Sequence, residues 1–465
     1  MTLLEHTRTP RRTQGLAIIT LTYSAAIVSI MQTLALPLVP LMPSLFHESI
    51  SASSWAATGA TLAGAIANPV LGRAGEIYGK KRVMLLALGS LTVGSVLCAI
   101  AWNLPILIAG RVLQGVAVGC IALALGIARE SLSGKNIATA TASIGAMMGV
   151  GAGIGVPMAG VLVQAGDWRS IFWVSAGLGI LGMSTTAVFV PAGPRGLGRL
   201  DIVGSLGVAL AAALLLTAVT YSTEWGFSSP VFIVVCCLIP VIGIPWVIHQ
   251  RSALDPVVDL RLLARPQVAR LHVLGLLVGF TMFGNFASAI QVVVFPKPGF
   301  GGDLLMAGLL MLPATTIGLL LIGPVAVMTR RLGSRTVLVC ALLFSITGNV
   351  ARALWPEQPW QLAIGFALVS VGTSMAFATI PMLLAPHLPP GTTSAVNGVN
   401  NLFRQIGSSL GNSVNAAVIS AAAVLGAAAT ALAFNLLAFA GAAAMGIGLL
   451  LALLSSSIPG QRPSE

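Results

Sequence analysis

Residues 72–82 read Gly-Arg-Ala-Gly-Glu-Ile-Tyr-Gly-Lys-Lys-Arg, and residues 326–335 read Ala-Val-Met-Thr-Arg-Arg-Leu-Gly-Ser-Arg. Aligning Gly79 with Gly333 superposes two short basic turns. Each turn lies between the second and third apolar segments of a block of six such segments. The pairing therefore predicts a chain built from two related six-helix halves.

The composition around these turns is that of a membrane protein. The 465 residues are 56% hydrophobic and 8% charged, whereas an average globular chain is about 25% charged. Fourteen apolar runs reach the roughly 18 residues that can cross a bilayer. They fall at 16–41, 54–71, 83–101, 105–127, 138–163, 170–191, 203–222, 230–248, 271–296, 304–328, 336–354, 361–385, 394–423 and 428–455. We expect an all-α polytopic membrane protein with 14 transmembrane helices.

The excess of positive charge gives the orientation of these spans. The net charge of +12 could by itself indicate a nucleic-acid partner. With the N-terminus in the cytoplasm, however, most cations fall in cytoplasmic segments, as the positive-inside rule requires. Three cations are external (Arg169, Lys297 and Arg352), and Arg111 and Arg404 lie inside spans. The charge therefore predicts a multi-pass protein of the cytoplasmic membrane, in contact with lipid and not with nucleic acid.

The predicted organisation places both termini in the cytoplasm. The segments are a cytoplasmic N-terminus at 1–15, an N-terminal six-helix half at 16–192, an inserted helix pair at 193–250, a cytoplasmic loop at 251–270, a C-terminal six-helix half at 271–456 and a cytoplasmic tail at 457–465. A Walker loop and a His/Asp/Ser catalytic set are absent from the sequence, and the five cysteines lack metal-ligand spacing. We expect no enzyme, no cofactor and no metal, and a chain that functions as a monomer.

Several motifs follow one another along the apolar segments. They are Arg111-Val112-Leu113-Gln114-Gly115 in span 4; Gly149, Gly151, Gly153, Gly155, Pro157 and Gly160 in span 5; Leu200-Asp201 with Gly204 at the insertion; and Ser394-Ala395-Val396-Asn397 with Phe403-Arg404-Gln405-Ile406-Gly407 in span 13. Together with the 72–82 turn they resemble the major facilitator superfamily, in particular its fourteen-span drug:proton antiporter branch. The sequence departs from that branch in span 1, where Val28 occupies the usual position of an aspartate.

The resemblance implies that the 72–82 turn is a conformational latch between the halves. The latch residues are Gly72, Glu76, Gly79, Lys80 and Arg82, with Glu130 at the end of span 4. Glu76 would face the start of span 13, where free N–H groups and the helix dipole favour an anion, and Lys80 would pair with Glu130. The alternative is a solvated basic loop that only orients the protein. In the second turn, Arg330 takes the position of Glu76.

Span 5 carries a row of small residues. Gly145, Gly149 and Gly153 recur every four residues and Pro157 continues the row, so they share one helix face that permits close backbone approach. The resemblance implies a pliable, proton-tight seam formed by Gly149, Gly153, Gly155, Pro157 and Gly160. Ordinary helix packing would explain the same spacing.

Polar residues inside the spans are the candidates for substrate binding or coupling. A charge at mid-membrane is costly, about 2.5–3.5 kcal/mol on the lenient scale, and is therefore a functional candidate. By analogy with the fold, the first and fourth spans of each half line the cavity. The candidates are Gln32, Thr33, Arg111, Gln114, Asn285, Ser288, Gln291, Ser370, Thr373 and Ser374, with Asn400 and Arg404 in span 13. Hydrogen bonds between helices would explain any one of them equally well.

The acidic residues, unlike Arg111 and Arg404, do not occur inside the predicted spans. All twelve lie in loops or at span ends, and a cavity for lipophilic cations would normally contain one. Glu224 and Asp303, at span ends, remain as possible proton carriers. This distribution favours a neutral or anionic substrate that faces Arg111.

The resemblance and the paired repeats lead to one functional prediction and two alternatives. The prediction is a secondary active transporter that exports a small lipophilic compound, such as an antibiotic, drug or secondary metabolite, by proton antiport with alternating access. The first alternative is an uncoupled facilitator or importer of a neutral or anionic metabolite. The second is a membrane sensor that does not transport.

Overall fold

The computed structural model describes residues 11–35, 38, 42–48, 50–133, 135–165, 167–193, 195–196, 198–226, 228–294, 299–302, 304–354, 358–389 and 391–454. All regular secondary structure in these ranges is helical. The predicted all-α class is therefore confirmed. Within the described ranges, ten helices are long and apolar enough to cross a membrane, or up to eleven when one bent pair is counted as a span.

The first half begins with α1 (Arg11–Leu34) and a short α2 (Met42–Phe46). It continues with α3 (Ile50–Tyr78), α4 (Lys80–Ala99), α5 (Leu104–Val116), α6 (Cys120–Ser131), α7 (Lys135–Ala165) and α8 (Ser170–Phe189). A 3₁₀ turn at Ala117–Gly119 joins α5 to α6. The inserted pair is α9 (Ile202–Trp225) and α10 (Pro230–Ser252).

The second half follows a short α11 (Leu260–Leu263). Its helices are α12 (Pro266–Val294), α13 (Leu304–Leu320), α14 (Ile322–Leu332), α15 (Ser334–Leu354), α16 (Pro359–Leu384), α17 (Thr393–Leu425) and α18 (Ala427–Leu454). The helices α13 and α14 form the bent pair, with an angle of 46°. The helices α3, α7 and α17 coincide with predicted spans but are not among the ten, so the number of fourteen spans and the domain boundaries stay predictions.

The two basic turns have the same backbone conformation. Gly79 between α3 and α4 has a φ of 97°, and Gly333 between α14 and α15 has a φ of 82°. An L side chain rarely adopts this region, so glycine permits the abrupt change of direction in both turns. We call the end of the bundle that carries these turns the basic end.

The repeat extends from the turns into the helix packing. Gly94 and Gly348 lie 254 positions apart, as Gly79 and Gly333 do. A Cβ atom on Gly94 would lie 2.5 Å from the carbonyl oxygen of Gly110, and a Cβ atom on Gly348 would lie 2.7 Å from that of Gly365. The crossing of α4 with α5 therefore has the same glycine contact as the crossing of α15 with α16.

The inserted pair is held together by a polar network around Asp201. The Asp201 carboxylate caps α9 by accepting a hydrogen bond from the backbone N–H of Gly204 at 2.8 Å. It also accepts one from the Gln250 side chain at 2.8 Å, and His249 Nε2 lies 2.9 Å from it. Gln250 accepts a hydrogen bond from the N–H of Val258 at 3.0 Å. Residues of α10 thus fix both the start of α9 and the segment that follows the pair.

That following segment returns to the first basic turn. Asp255 forms an ion pair of 3.1 Å with Arg73, which also lies 3.4 Å from Glu76. The backbone N–H of Arg199, just before α9, donates to the same Asp255 carboxylate at 3.2 Å. The insertion is therefore connected to the first basic turn through side chains as well as through the backbone.

The glycine crossing yields a stability prediction. In Gly110→Ala the new methyl group would lie 2.7 Å from the Gly94 oxygen and 2.6 Å from the Cys98 sulfur, so α5 must move away from α4. Overpacking of this kind costs about 1–3 kcal/mol. We expect a lower apparent unfolding temperature for the purified protein in detergent.

Gly177→Ala in α8 is the matched control, because no atom lies within 4 Å of the added methyl group. It should unfold at the wild-type temperature. Equal unfolding temperatures for the two variants would mean that the α4–α5 crossing tolerates a wider separation.

Candidate functional site

A polar cavity lies between the two halves, and we call it the central cavity. Its volume is about 110 Å³. Its walls come from α1, α3, α5 and the 3₁₀ turn of the first half, and from α12 and α17 of the second. The lining residues are Val28, Met31, Gln32, Ala60, Thr61, Arg111, Gln114, Gly115, Val118, Phe283, Gln405, Ser408, Ser409 and Asn412. One cation and no carboxylate are among them.

Arg111 is the charged group of the central cavity, and 3% of it is exposed. Its guanidinium donates to Gln114 Oε1 at 2.7 Å, to the carbonyl oxygen of Ala56 at 3.2 Å and to that of Met31 at 3.4 Å. Gln114 in turn donates to the Ser95 hydroxyl at 2.7 Å. All these partners are neutral, so the positive charge of Arg111 is held in position but is not neutralised by them.

The sequence analysis missed the contribution of α17 to this cavity. Gln405, Ser408, Ser409 and Asn412 form its second wall, whereas the candidates predicted in span 13 were Asn400 and Arg404. The signal was present as a row of polar residues at helical spacing along span 13. To recognise this row as a cavity wall, one must know which face of α17 points to the cavity, and the sequence alone does not show this.

Arg404 and Asn400 lie outside the central cavity. They line a separate cavity of about 20 Å³. The Arg404 guanidinium donates to the sulfur of Met148 at 3.1 Å and lies 4.9 Å from the centre of the Phe377 ring. Asn400 donates to the carbonyl oxygen of Leu271 at 3.1 Å. Arg404 therefore joins α17 to α7 of the first half.

Arg352 differs from its predicted position. It was expected in an external segment, but it lies in the last turn of α15 and only 6% of it is exposed. Its guanidinium donates to Asn285 and Ser288 of α12 and lies 4.4 Å from the centre of the Phe366 ring. The long Arg352 side chain reaches α12 from the end of α15, so these two predicted cavity residues serve as its partners.

Arg352 and Arg111 occupy related places in the two halves. In each half the third and fourth spans cross at a pair of glycines. Gly94 of α4 meets Gly110 of α5, and Gly348 of α15 meets Gly365 of α16. The third helix carries Cys98 four residues after Gly94, and Arg352 four residues after Gly348. The fourth helix carries Arg111 directly after Gly110, and Phe366 directly after Gly365. Each crossing thus has one buried guanidinium, on opposite members of the helix pair.

The remaining polar candidates are dispersed. Thr33 donates to the carbonyl oxygen of Ile30 at 3.3 Å, and Thr373 to that of Ser370 at 3.2 Å, so each bonds within its own helix. Ser370 and Ser374 line a narrow cavity of about 10 Å³ together with Asn285. Gln291 is half-buried, and its side-chain oxygen has no hydrogen-bond partner among the described residues. Of the predicted set, Gln32, Arg111 and Gln114 meet in the central cavity.

The helix α7 contacts both halves through its small residues. Added Cβ atoms on Gly151 and Gly155 would lie 2.6 Å from Ser29 and 2.0 Å from Thr33, both on α1, and one on Gly145 would lie 2.6 Å from Ala378 on α16. Pro157, inside α7, lies against Gly308 of α13. Gly160 has no atom near its added Cβ. The surroundings of Gly149 and Gly153 lie outside what the structure describes.

At the basic end, Glu76 reaches across to the second half. One carboxylate oxygen accepts a hydrogen bond from the backbone N–H of Ala395, in the first turn of α17, at 2.9 Å. Lys80 and Glu130 form an ion pair of 2.6 Å. A Cβ atom on Gly72 would lie 2.5 Å from the carbonyl oxygen of Ser394, so the two halves are in close backbone contact. Arg82, by contrast, is exposed.

The position of Glu76 changes its acidity. Burial raises the pKa of this carboxyl from 4.5 to about 7, although the Ala395 N–H and the cations Lys80 and Arg73 favour the charged form. An adjacent cavity of about 230 Å³ also contains His272 and Asp259. Glu76 lies beyond the predicted span 54–71. It is therefore a buried carboxyl, at the contact between the halves, that titrates near neutral pH.

Of the two predicted proton carriers, the structure describes one. Glu224 is exposed near the end of α9, and Asp303 lies outside the described residues. Among the described residues, Glu76 is the acid that joins the two halves through a direct hydrogen bond.

Known proteins share this fold. The structure superposes on the human organic anion transporter MFSD10 with a TM-score of 0.65 at 16% identity, covering 96% of this chain and 100% of that one. It superposes on the proton:xylose symporter XylE with a TM-score of 0.63 at 14% identity, covering 96% of each chain. At these identities the likeness concerns the fold alone.

Several curated relatives are similar in sequence. A probable actinorhodin transporter of Streptomyces coelicolor is 27% identical over 79% of this chain, which spans 65% of that relative's length. The methylenomycin A resistance protein of Bacillus subtilis is 24% identical over 82% of each chain. A multidrug resistance protein B homolog of Mycobacterium tuberculosis is 25% identical over 81% of this chain and 70% of its own. By name, these relatives are an antibiotic transporter and two resistance proteins.

The family model of the Major Facilitator Superfamily matches residues 21–412. This range includes the first basic turn, the central cavity and the start of α17. The resemblance predicted from the motifs is confirmed, and so is the prediction that the chain is a membrane transporter and not an enzyme. The chain belongs to the Major Facilitator Superfamily.

Proposed function

We propose that this transporter exports small lipophilic compounds, neutral or anionic, across the cytoplasmic membrane by alternating access. The observation that carries the proposal is the central cavity, where one uncompensated guanidinium stands among apolar and neutral polar groups. Such a site favours a ligand with an apolar body and a negative or electron-rich group. Relatives named for actinorhodin, methylenomycin A and multidrug resistance support the assignment to export.

Alternating access needs contacts between the halves that form on one side and break on the other. The Glu76–Ala395 hydrogen bond is such a contact at the basic end. Arg129 adds two more, since it donates to the Thr393 hydroxyl at 3.0 Å and to the carbonyl oxygen of Ala385 at 2.6 Å. Together they act as a latch that closes this end, and rocking of the halves opens it.

The burial of Glu76 makes the closed latch sensitive to pH, which supports proton coupling through this residue. When the latch opens, water reaches the carboxyl and its pKa falls towards the ordinary 4.5. The closed form, with a pKa of about 7, therefore binds the proton between those two values. Lowering the pH through this window favours the closed form, and raising the pH above about 7 removes that advantage.

A second candidate is an uncoupled facilitator of a neutral or anionic metabolite. The observation that favours it is that no described carboxylate lines the central cavity. In this case protonation of Glu76 would control the latch without driving transport. The two candidates differ in one property, which is their dependence on the proton gradient.

The first test measures that dependence. Inverted vesicles from a host without its own pumps should accumulate an exported compound when respiration energises them, and a protonophore should collapse the accumulation. A susceptibility panel of neutral, anionic and cationic compounds in the same host identifies the compound. Accumulation that persists after the gradient is dissipated would favour the facilitator.

The second test concerns Arg111. Arg111→Gln removes the charge and should lower transport by about 10-fold to 100-fold, since hydrogen bonds from charged groups contribute about 1.5–3 kcal/mol. Arg111→Lys keeps the charge but loses the planar set of donors. Its transport rate should therefore lie between those of the wild type and Arg111→Gln. Arg169→Gln, at an exposed ion pair, is the control. Full transport by folded Arg111→Gln would remove this residue from the mechanism.

The third test follows the latch by pH. Spin labels on Tyr78 and Pro389, both exposed at the basic end, would report the separation of the halves in a variant without native cysteines. Lowering the pH from about 8 to about 5.5 should increase the closed population, because the closed form holds the Glu76 proton.

Glu76→Gln imitates the protonated carboxyl. In this variant the distances between the two spin labels should therefore be those of the closed form at every pH. Glu48→Gln, at an exposed acid, should behave like the wild type. A pH response that survives in Glu76→Gln would mean that the closing of the latch does not depend on Glu76.

A further inference from the structure

The first basic turn contacts the other half through the hydrogen bond between Glu76 and the start of α17. The second basic turn has no acid at the matching position. In the repeat alignment Arg330 takes the position of Glu76, and the start of α7 corresponds to the start of α17. A cation has no affinity for a helix N-terminus, which carries partial positive charge. A cavity of about 660 Å³ lies at this place, between α6 and α7 of the first half and α12 and α14–α18 of the second. We call it the basic-end cavity.

The charged and titratable groups of the basic-end cavity are all basic. They are Arg129, Arg330, Arg335 and His387, and no described carboxylate lines it. Arg129 donates to a threonine hydroxyl and a carbonyl oxygen. Arg335 donates to the carbonyl oxygens of Ala452 and Leu453, at 3.3 and 2.6 Å. These acceptors are neutral, and Glu130, the acid beside Arg129, is paired with Lys80. The positive charges therefore remain available to an anion.

Part of the wall of the same cavity is apolar. Leu125, Ile137, Leu271 and Leu338 line it together with the basic groups. A ligand that satisfies both parts has a negative head group on an apolar body. The size of the cavity fits such a molecule, since ligand cavities measure about 300–1,000 Å³.

We propose that the basic-end cavity binds the carboxylate or phosphate head group of an amphipathic anion. The head group lies between Arg129 of the first half and Arg330 with Arg335 of the second. It supplies a contact with both halves, as the hydrogen-bond acceptor Glu76 does in the first repeat and as Arg330, which only donates, cannot. The bound anion therefore joins the two halves at a second point and holds the basic end closed.

The site is separate from the central cavity, and its binding can be measured without transport. Two sources can provide this chemistry, the head group of an anionic phospholipid or a soluble amphipathic acid. The probe is octyl phosphate, titrated by calorimetry into the full-length protein in phosphatidylcholine nanodiscs. Its uncharged counterpart, octanol, should bind at least tenfold more weakly.

The neighbouring arginines provide a matched pair of variants. Arg330 lines the cavity and Arg331 does not, and both are exposed, so neither change should affect folding. Arg330→Gln should weaken octyl phosphate binding about fivefold, as expected for one partly solvated charge. Arg330→Glu should weaken it more than tenfold because it repels the ligand. Arg331→Gln should stay within about twofold of the wild type.

Equal affinities for octyl phosphate and octanol would overturn the proposal. So would equal losses in Arg330→Gln and Arg331→Gln, which would reflect only general attraction to a basic surface. A second set of nanodiscs containing phosphatidylglycerol distinguishes the sources. Competition by this lipid assigns the site to a phospholipid head group, and unchanged affinity assigns it to a soluble acid. Either result supports the site.

Discussion

A charge in a medium of low dielectric constant must find polar partners, and this constraint organises the whole molecule. Backbone groups meet the same requirement within their own helices. The three deeply buried arginines meet it with amide oxygens, hydroxyls, carbonyl oxygens, sulfur and aromatic rings, and no described carboxylate pairs with them. The described ion pairs lie at the helix ends and in loops. The interior is therefore positively polarised, and negative charge is confined to the ends of the bundle.

The two halves repeat their backbone geometry but not their charges. The glycine crossings and the glycine turns recur at nearly constant offset. On this common frame Cys98 and Arg111 are replaced by Arg352 and Phe366, and Glu76 is replaced by Arg330. Because the backbone geometry repeats and the charges do not, the two sides of the basic end differ. One side of the basic end closes on its own acid, and the other leaves a basic cavity.

The sequence predicted those parts of the structure that depend on local pattern. Apolar runs gave the helices, and the two turns with their glycines gave the repeat. The motif resemblance pointed to Glu76 at the start of α17 and to Lys80 beside Glu130, and the structure has both contacts.

The remaining features depend on tertiary geometry. The sequence predicted Arg352 in an external segment. Its burial could not be predicted, because a cation at a helix end is buried only where another helix offers polar partners, here Asn285 and Ser288. The α17 wall was missed because a helix with polar residues on several faces does not show which of them meets a cavity. Asn285 and Ser288 were candidates for substrate contact, yet a cation from another helix occupies them.

The ion pair between Asp255 and Arg73 gives the inserted helices a mechanical role. Asp255 follows α10 directly, and Arg73 divides its donors between Asp255 and Glu76. The contact between the halves and the segment after the inserted pair thus share one guanidinium. Opening of the basic end must therefore break the Arg73–Asp255 ion pair or move that segment together with the first half.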